Sequence, residues 1–419
     1  MPGHAEMRTQ RTQEVPAPEP DLTPEAIIGR ARALIPAIRD QQDEAEELGH
    51  HTAELDRQFV AAGFYRILQP RRFGGYEFDL PTFWRVMLAI SAGDPGTGWA
   101  TTLGSHHALV VGAWFPEAGQ REIFGPTGDF RGPHRAPPMG TATPVDGGYT
   151  VSGTWDYCSG AAHSTHFIGN SLVAGSEGGR GGGRGIAAVF PRDRITILDD
   201  WGGGATLGMN ASSSNSIRVD EAFVPAHWTA PADMTHGTEQ APGVRLHGNP
   251  MYCGRIYAVY HAGLVIPVIG AARAALEDYE QIITTRLTYF PPQIPRYTHP
   301  DYQRAYGQAV GLTDAAEAIV LRVGEQYMEL ASRWDQTGEP FTREDDVRMF
   351  AMVQHAGQLA AQAVEVIFAA AGSSSAKRGT RLQRYHRDVS MYYGHIAAQH
   401  LTTASELARV HFALPDTLF

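Results

Sequence analysis

Six consecutive residues, Trp155-Asp156-Tyr157-Cys158-Ser159-Gly160, set a broad aromatic beside a thiol, a hydroxyl and a glycine. That set suits a flat ring held close to backbone: the aromatic packs, the hydroxyl hydrogen-bonds and the glycine admits close approach. The plain alternative is a β-hairpin that ends in a serine turn. His106 and His107 adjoin in GSHHAL. An unperturbed imidazole titrates near pH ~6.5, where it gives or takes protons readily. The competing reading is a pair of helix histidines against core or solvent. Gly372-Ser373-Ser374-Ser375 follows an apolar stretch. Small polar loops of this kind cradle phosphate through N–H and hydroxyl groups, or simply cap a helix. Finally, Arg384, Asp388, Met391 and His395 recur at helical spacing, which predicts one stripe with His395 two turns beyond Asp388.

These residues need elements to hold them. From about Leu22 to Phe130 the pattern is helical. Thr23-Pro24-Glu25 reads as an N-cap, a proline at the first helical position and an acidic first turn. A second helix is expected over Thr52–Ala62, stopping at Gly63. Asp146-Gly147-Gly148 is a turn signal, and the alternating Tyr, Thr and Val after it predict a hairpin. Short strands broken by Gly, Pro and Asp continue to Val224, which predicts a compact β-domain over 131–235. Ser176–Gly185, rich in glycine, reads as a flexible surface hairpin. Helices are expected over Ala258–Thr285, Tyr302–Trp334 and Arg343–Ala371, with short links that suggest a four-helix bundle within 236–419. The fold class is therefore α+β and multidomain: a helical domain over 23–130, the β-domain, then the bundle.

Composition excludes several classes. Of the 419 residues, 43% are hydrophobic and 19% charged, ordinary for a globular chain with a sizeable core. The net charge of −11 disfavours nucleic acid and anionic membrane as partners. Cys158 and Cys253 offer neither a disulfide framework nor zinc spacing, so no metal is expected. A reducing, cytoplasmic setting is the expectation. Residues 1–22 lack the apolar segment of a secretory signal and read as a disordered tail.

The pattern G-G-Y-x-V-S-G-x-W-x-Y-x-S-G resembles the flavin-facing β segment of the acyl-CoA dehydrogenase fold. More closely it resembles the branch of two-component flavin monooxygenases, group D, which includes the oxygenase components of 4-hydroxyphenylacetate and seco-steroid hydroxylases. Three further stretches agree in order and spacing, TLGMNASSSNSIRVDEAFVP and Arg384–His395 among them. The resemblance implies an oxygenase component that takes reduced FMN or FAD from a separate flavin reductase. With O2, a C4a-hydroperoxide then hydroxylates an aromatic, phenolic or polycyclic small molecule. It implies Ser159 at flavin N5, with Cys158 as the alternate, Gly160 beside it, and Trp155 packed on the ring. It also implies flavin contacts at Ser214 and Arg286, the latter across a subunit boundary, and at Gly372, Ser373 and Ser374. His395 and His106 become the acid/base candidates, with His107 as the fallback for His106. A homotetramer is expected.

This sequence departs from the branch at two places. Pro133, His134 and Arg135 stand where relatives tend to carry serines, and Asn210 and Ala211 replace an Arg and a Gly. The rival reading is an acyl-CoA dehydrogenase, which needs a carboxylate base. Val389–Gln399, where that base commonly sits, contains no Asp or Glu, and neither does Met251–Leu264. N- or S-oxygenation by the same flavin chemistry is a second alternative.

Overall fold

The computed structural model describes residues 15–176, 183–233 and 239–415. Most of the expected tail, and the glycine-rich centre of the 176–185 hairpin, lie outside the described residues. Seven helices come first: α1 (Pro24–Asp40), α2 (Gln42–Leu48), α3 (Ala53–Ala62), α4 (Leu80–Gly93), α5 (Pro95–Ser105), α6 (His107–Trp114) and α7 (Glu117–Phe124). Their starts follow capping chemistry. The Thr23, Thr52, Asp79 and Asp94 side chains accept N–H groups of the first turns of α1, α3, α4 and α5.

A seven-stranded sheet follows: β1 (His134–Val145), β2 (Gly148–Trp155), β3 (His166–Val173), β4 (Gly185–Pro191), β5 (Thr196–Ile197), β6 (Ile217–Pro225) and β7 (Thr229–Pro231). Its order is β5-β6-β2-β1-β3-β4-β7. The β1–β3 pair is parallel and the others are antiparallel. The β1–β2 turn falls at Asp146-Gly147, where Gly147 supplies the positive φ of +76° that such a turn needs.

Helices return with α8 (Gly243–His247), α9 (Tyr257–Thr285), α10 (Pro300–Thr337), α11 (Arg343–Ala371), α12 (Arg381–Tyr393) and α13 (His400–His411). The axis of the bundle is α9, which packs against α4, α5, α10, α11 and α12. By length and composition α9 is apolar enough to cross a bilayer, yet 83% of its most apolar window is buried among these neighbours. Small residues set the close crossings. A Cβ on Gly98 would meet Ser91 Oγ at 2.1 Å, and one on Gly270 would meet Ser91 Cβ at 2.3 Å, so α4, α5 and α9 meet at one point.

Two expectations need correction here. The stripe from Arg384 does not continue to His395, because α12 stops at Tyr393 with Gly394 as its cap. His395 instead opens a single 3₁₀ turn over Ile396–Ala398. Trp155, expected on a bound ring, is fully buried inside the sheet domain, packed on Phe167 and Phe190. Its indole N–H donates to Asn170 O at 2.8 Å. Gly140, Gly153 and Gly169 crowd its ring so closely that a Cβ on any of them would come within 2.3 to 3.0 Å of it. The flat ring held against backbone is Trp155's own.

Candidate active site

Two segments zip together to build the centre. Cys158 N–H donates to Asn215 O, Gly160 N–H to Ser212 O and Ala161 N–H to Ser213 O. Gly160 holds φ +87°, and a Cβ there would stand 2.8 Å from Ala100 O of α5. Only glycine lets this turn lie so close to the helix. Tyr157, Met209 and Ser213 adopt left-handed φ of +52°, +54° and +51° without being glycine. Such backbone costs of order 1–3 kcal/mol per residue and clusters at functional sites.

The pairing lines up three hydroxyls. Ser159 Oγ lies 2.8 Å from Ser214 Oγ, which lies 2.6 Å from Ser212 Oγ. Trp99, on α5, donates its indole N–H to Ser159 Oγ at 3.0 Å. The His395 ring stands edge-on to Trp99, centroids 5.3 Å apart at 85°. Thus Ser159, Gly160, Ser214 and His395, scattered over 237 positions of sequence (159 to 395), converge around one tryptophan. Trp99 was not among the expected residues. Its one local signal is being the lone aromatic side chain in the small-residue run GDPGTGWATTLGS.

Cys158 is not an equal alternative to its neighbour. It is fully buried, its Sγ donates to Trp155 O at 3.2 Å, and burial pushes its thiol up to about 12. A thiol in that state is inert packing. Beside the serines, Ala211 fills the space next to Gly96, where a Cβ would meet its own at 2.9 Å. Behind them, Asp56 anchors the segment that carries His163: its carboxylate accepts Tyr65 OH at 2.8 Å and Arg131 at 2.9 Å. His51, Asp56 and His163 place potential ligand atoms within 4.8 Å of one another, but Asp56 already serves these two donors.

His106 closes α5 and is buried with both ring nitrogens unpartnered. Its ring lies 4.1 Å from that of His107 and 5.2 Å from that of Tyr260, centroid to centroid. Burial pulls it down to about 3, so it is neutral at ordinary pH. His107 differs, since its Nδ1 bonds to Gly132 O at 2.7 Å. Of the two, His106 is the one with both ring nitrogens unpartnered.

The remaining expected contacts form a second cluster. Arg286 Nη1 donates to Ser374 Oγ at 2.5 Å, in an exposed patch that includes Gly372 at φ +89° and Ser373. Gly263, on α9, faces the His106 ring, where a Cβ would stand 3.0 Å from Cε1, whereas Arg286 follows the far end of the same helix. Twenty-three residues at ~1.5 Å each put the two about 35 Å apart. The structure thus splits the expected set in two.

A family model described as "Acyl-CoA dehydrogenase, C-terminal domain" matches residues 262–400. The pigment production hydroxylase of Rhodococcus sp. (strain ATCC 21145) is 29% identical over 94% of this chain and 98% of its own. The HsaA oxygenase subunit of a flavin-dependent monooxygenase from Rhodococcus jostii (strain RHA1) is 27% identical over 93% and 98%. The crystal structure of 3-HSA hydroxylase from Rhodococcus sp. RHA1 superposes with a TM-score of 0.82 at 25% identity, over 94% of this chain and 98% of that one. The chain is a flavin-dependent monooxygenase of the acyl-CoA dehydrogenase fold.

The residues of this monooxygenase fit a flavin. Ser159 and Ser214 offer hydroxyls beside a glycine that has no room for a Cβ, and His106 offers two unpaired buried nitrogens. Reduced flavin, when bound, supplies the electrons that activate O2. Ser159 would hydrogen-bond it with its own hydroxyl proton where Ser214 donates across their shared bond, since Trp99 N–H already donates to Ser159. Buried around this centre, Trp99 and the serines also keep water out.

Proposed function

We propose that this monooxygenase hydroxylates an uncharged aromatic small molecule, is fed by a separate flavin reductase, and works as a homotetramer. The observation that carries the reading is the convergence of Ser159, Ser214, Trp99 and His395, since it links a pair of buried hydroxyls to a histidine through one tryptophan. The chain lacks a nicotinamide fingerprint, which supports an external source of electrons. Purified protein should consume O2 and yield hydroxylated product when given chemically reduced FMN or FAD. With NAD(P)H and oxidised flavin but no reductase it should do neither. Oxidation of NAD(P)H by the protein alone, at the rate of product formation, would refute the reading.

Assembly follows from the two clusters. Arg286 sits too far along α9 to serve its own subunit's serines, so it is proposed to complete the site of a neighbour. Exposed Leu287, Tyr289, Phe290 and Tyr297 beside it are 52, 81, 76 and 49% accessible, apolar surface suited to burial between subunits. Arg286→Ala and Ser159→Ala should each lose most activity alone. When the two variants are mixed and allowed to exchange subunits, sites that pair both native residues form again and activity partly returns. Complete exchange without recovery would place both residues in one subunit's site.

A further inference from the structure

Beside His106 the structure holds a directed chain of hydrogen bonds. Asn170 is buried, and its Nδ2 donates to Ala136 O at 2.7 Å. That fixes the amide, so its Oδ1 is the atom facing His134 Nε2 at 3.0 Å. Only an N–H makes a bond there, so His134 carries its proton on Nε2. Burial depresses His134 to about 4, which leaves the ring neutral with a lone pair on Nδ1. Tyr260 OH lies 2.7 Å from that Nδ1 and must donate to it. The tyrosine's only proton is therefore committed inward, and burial raises its pKa, so the proton stays. What Tyr260 still offers is oxygen lone pairs, and both Tyr260 and His134 are partly exposed.

The neighbours add to this polarity. His107 bonds to Gly132 O through Nδ1, which places its lone pair on Nε2, and burial keeps the ring neutral. Its ring centroid is 5.4 Å from those of both Tyr260 and His134. His106 contributes one N–H and one lone pair, both unpartnered. Arg135, the next residue along β1, has its guanidinium tied to Asp156 at 2.9 Å. Together these groups hold three acceptors and one donor, with no free charge among them; of the four rings, His106 and His107 are buried and Tyr260 and His134 are the partly exposed ones.

On the reading that the chain hydroxylates an aromatic, we infer that the Tyr260 oxygen, oriented by His134 and Asn170, accepts a hydrogen bond from the substrate. The site then selects an uncharged ring that bears its own O–H or N–H, and rejects the ether, carbonyl or carboxylate in that place. Sites built to bond a substrate hydroxyl discriminate strongly against analogues that lack it, because their own polar groups are left unpaired.

Anaerobic titration of the intact protein, with reduced FMN present, compares 2-naphthol, 2-methoxynaphthalene and 2-naphthoate. Wild type should hold 2-naphthol about tenfold or more tighter than either analogue. Tyr260→Phe should bring 2-naphthol down to the ether without weakening the ether. His134→Phe should narrow the same ratio, since Tyr260 regains a free proton and can donate to the ether. A merely structural role would weaken all three ligands together. Equal binding of the three by wild type, binding of none, or an unchanged ratio in Tyr260→Phe overturns the assignment. Because no oxygen is admitted, the outcome is independent of whether the protein hydroxylates anything.

Discussion

His395→Ala should lower product formation about 10²–10³-fold, and raising the pH should not restore it. The magnitude is that of removing one hydrogen-bond donor aimed at charge that develops in a transition state. The pH behaviour follows from where the ring's proton sits. Ala397 N–H donates to His395 Nδ1 at 3.1 Å, so Nδ1 is the acceptor and the proton is on Nε2. Burial depresses the ring to about 4. From roughly pH 5 upward His395 is neutral and presents an N–H, not a lone pair. The sequence-based expectation of a general base at this position is corrected by that geometry: a base needs a free lone pair within reach of the proton it takes.

His395→Asn separates the two roles cleanly. Its amide can accept the Ala397 N–H and still present a donor, so it should recover much of the lost rate. In wild type, the part of the activity owed to His395 should persist across neutral and alkaline pH and change only as pH falls toward 4, where the ring takes a second proton. Steady-state rates of product formation with saturating reduced flavin, at several pH values, check all of this. Rescue of His395→Ala near the pKa of a phenol substrate, ~10, would restore the base assignment.

Long-range geometry is what the sequence withheld. The bundle helices were legible because their periodicity is local: Tyr302–Trp334 was expected and Pro300–Thr337 is observed. Arg343–Ala371 coincides with α11, whose start is a capping box between Thr342 and Asp345. The burial of Trp155 was readable too, from strand alternation. It lies four residues after buried Val151, on the same face of β2. Its membership in a flavin-like motif pulled the reading the other way. The end of α12 was marked by Gly394, a helix-stopping residue that the i, i+4 spacing of Arg384 and Asp388 overrode. By contrast, Trp99 against Ser159, and Tyr260 against His134, are joined across 60 and 126 positions. No local pattern reports such pairs.

Arg384→Ala should cost about 3 kcal/mol of stability, the lower end for breaking a buried ion cluster, because one partner is exposed. Arg384 is 8% accessible and bonds Glu46 at 3.0 Å, Gln42 at 3.1 Å and exposed Asp43. With Asp94 and Asp388 it lines a cavity of about 10 Å³, room for one water. Burial, then Asp94, pushes Asp388 up to about 8, while Arg387 and Arg384 restrain it. A carboxyl raised on folding favours the native state fully below its unfolded value near ~3.9 and loses that contribution as pH climbs through about 8. Without Arg384, the restraint weakens and the alkaline loss should be steeper. Denaturant midpoints of wild type and variant at pH 6 and pH 9 measure this: the gap between them should widen at pH 9, and a constant gap would show that Arg384 does not act on Asp388. The damage should also reach the active site. Asp388 Oδ1 accepts Met209 N–H at 2.6 Å, and Arg387 holds Leu207 O at 2.8 Å, so α12 clamps the loop that runs straight into Ser212 and Ser214. Loosening that clamp frees the serine chain from Ser159. Arg384→Ala should therefore release more hydrogen peroxide per product than wild type even at temperatures where it remains folded.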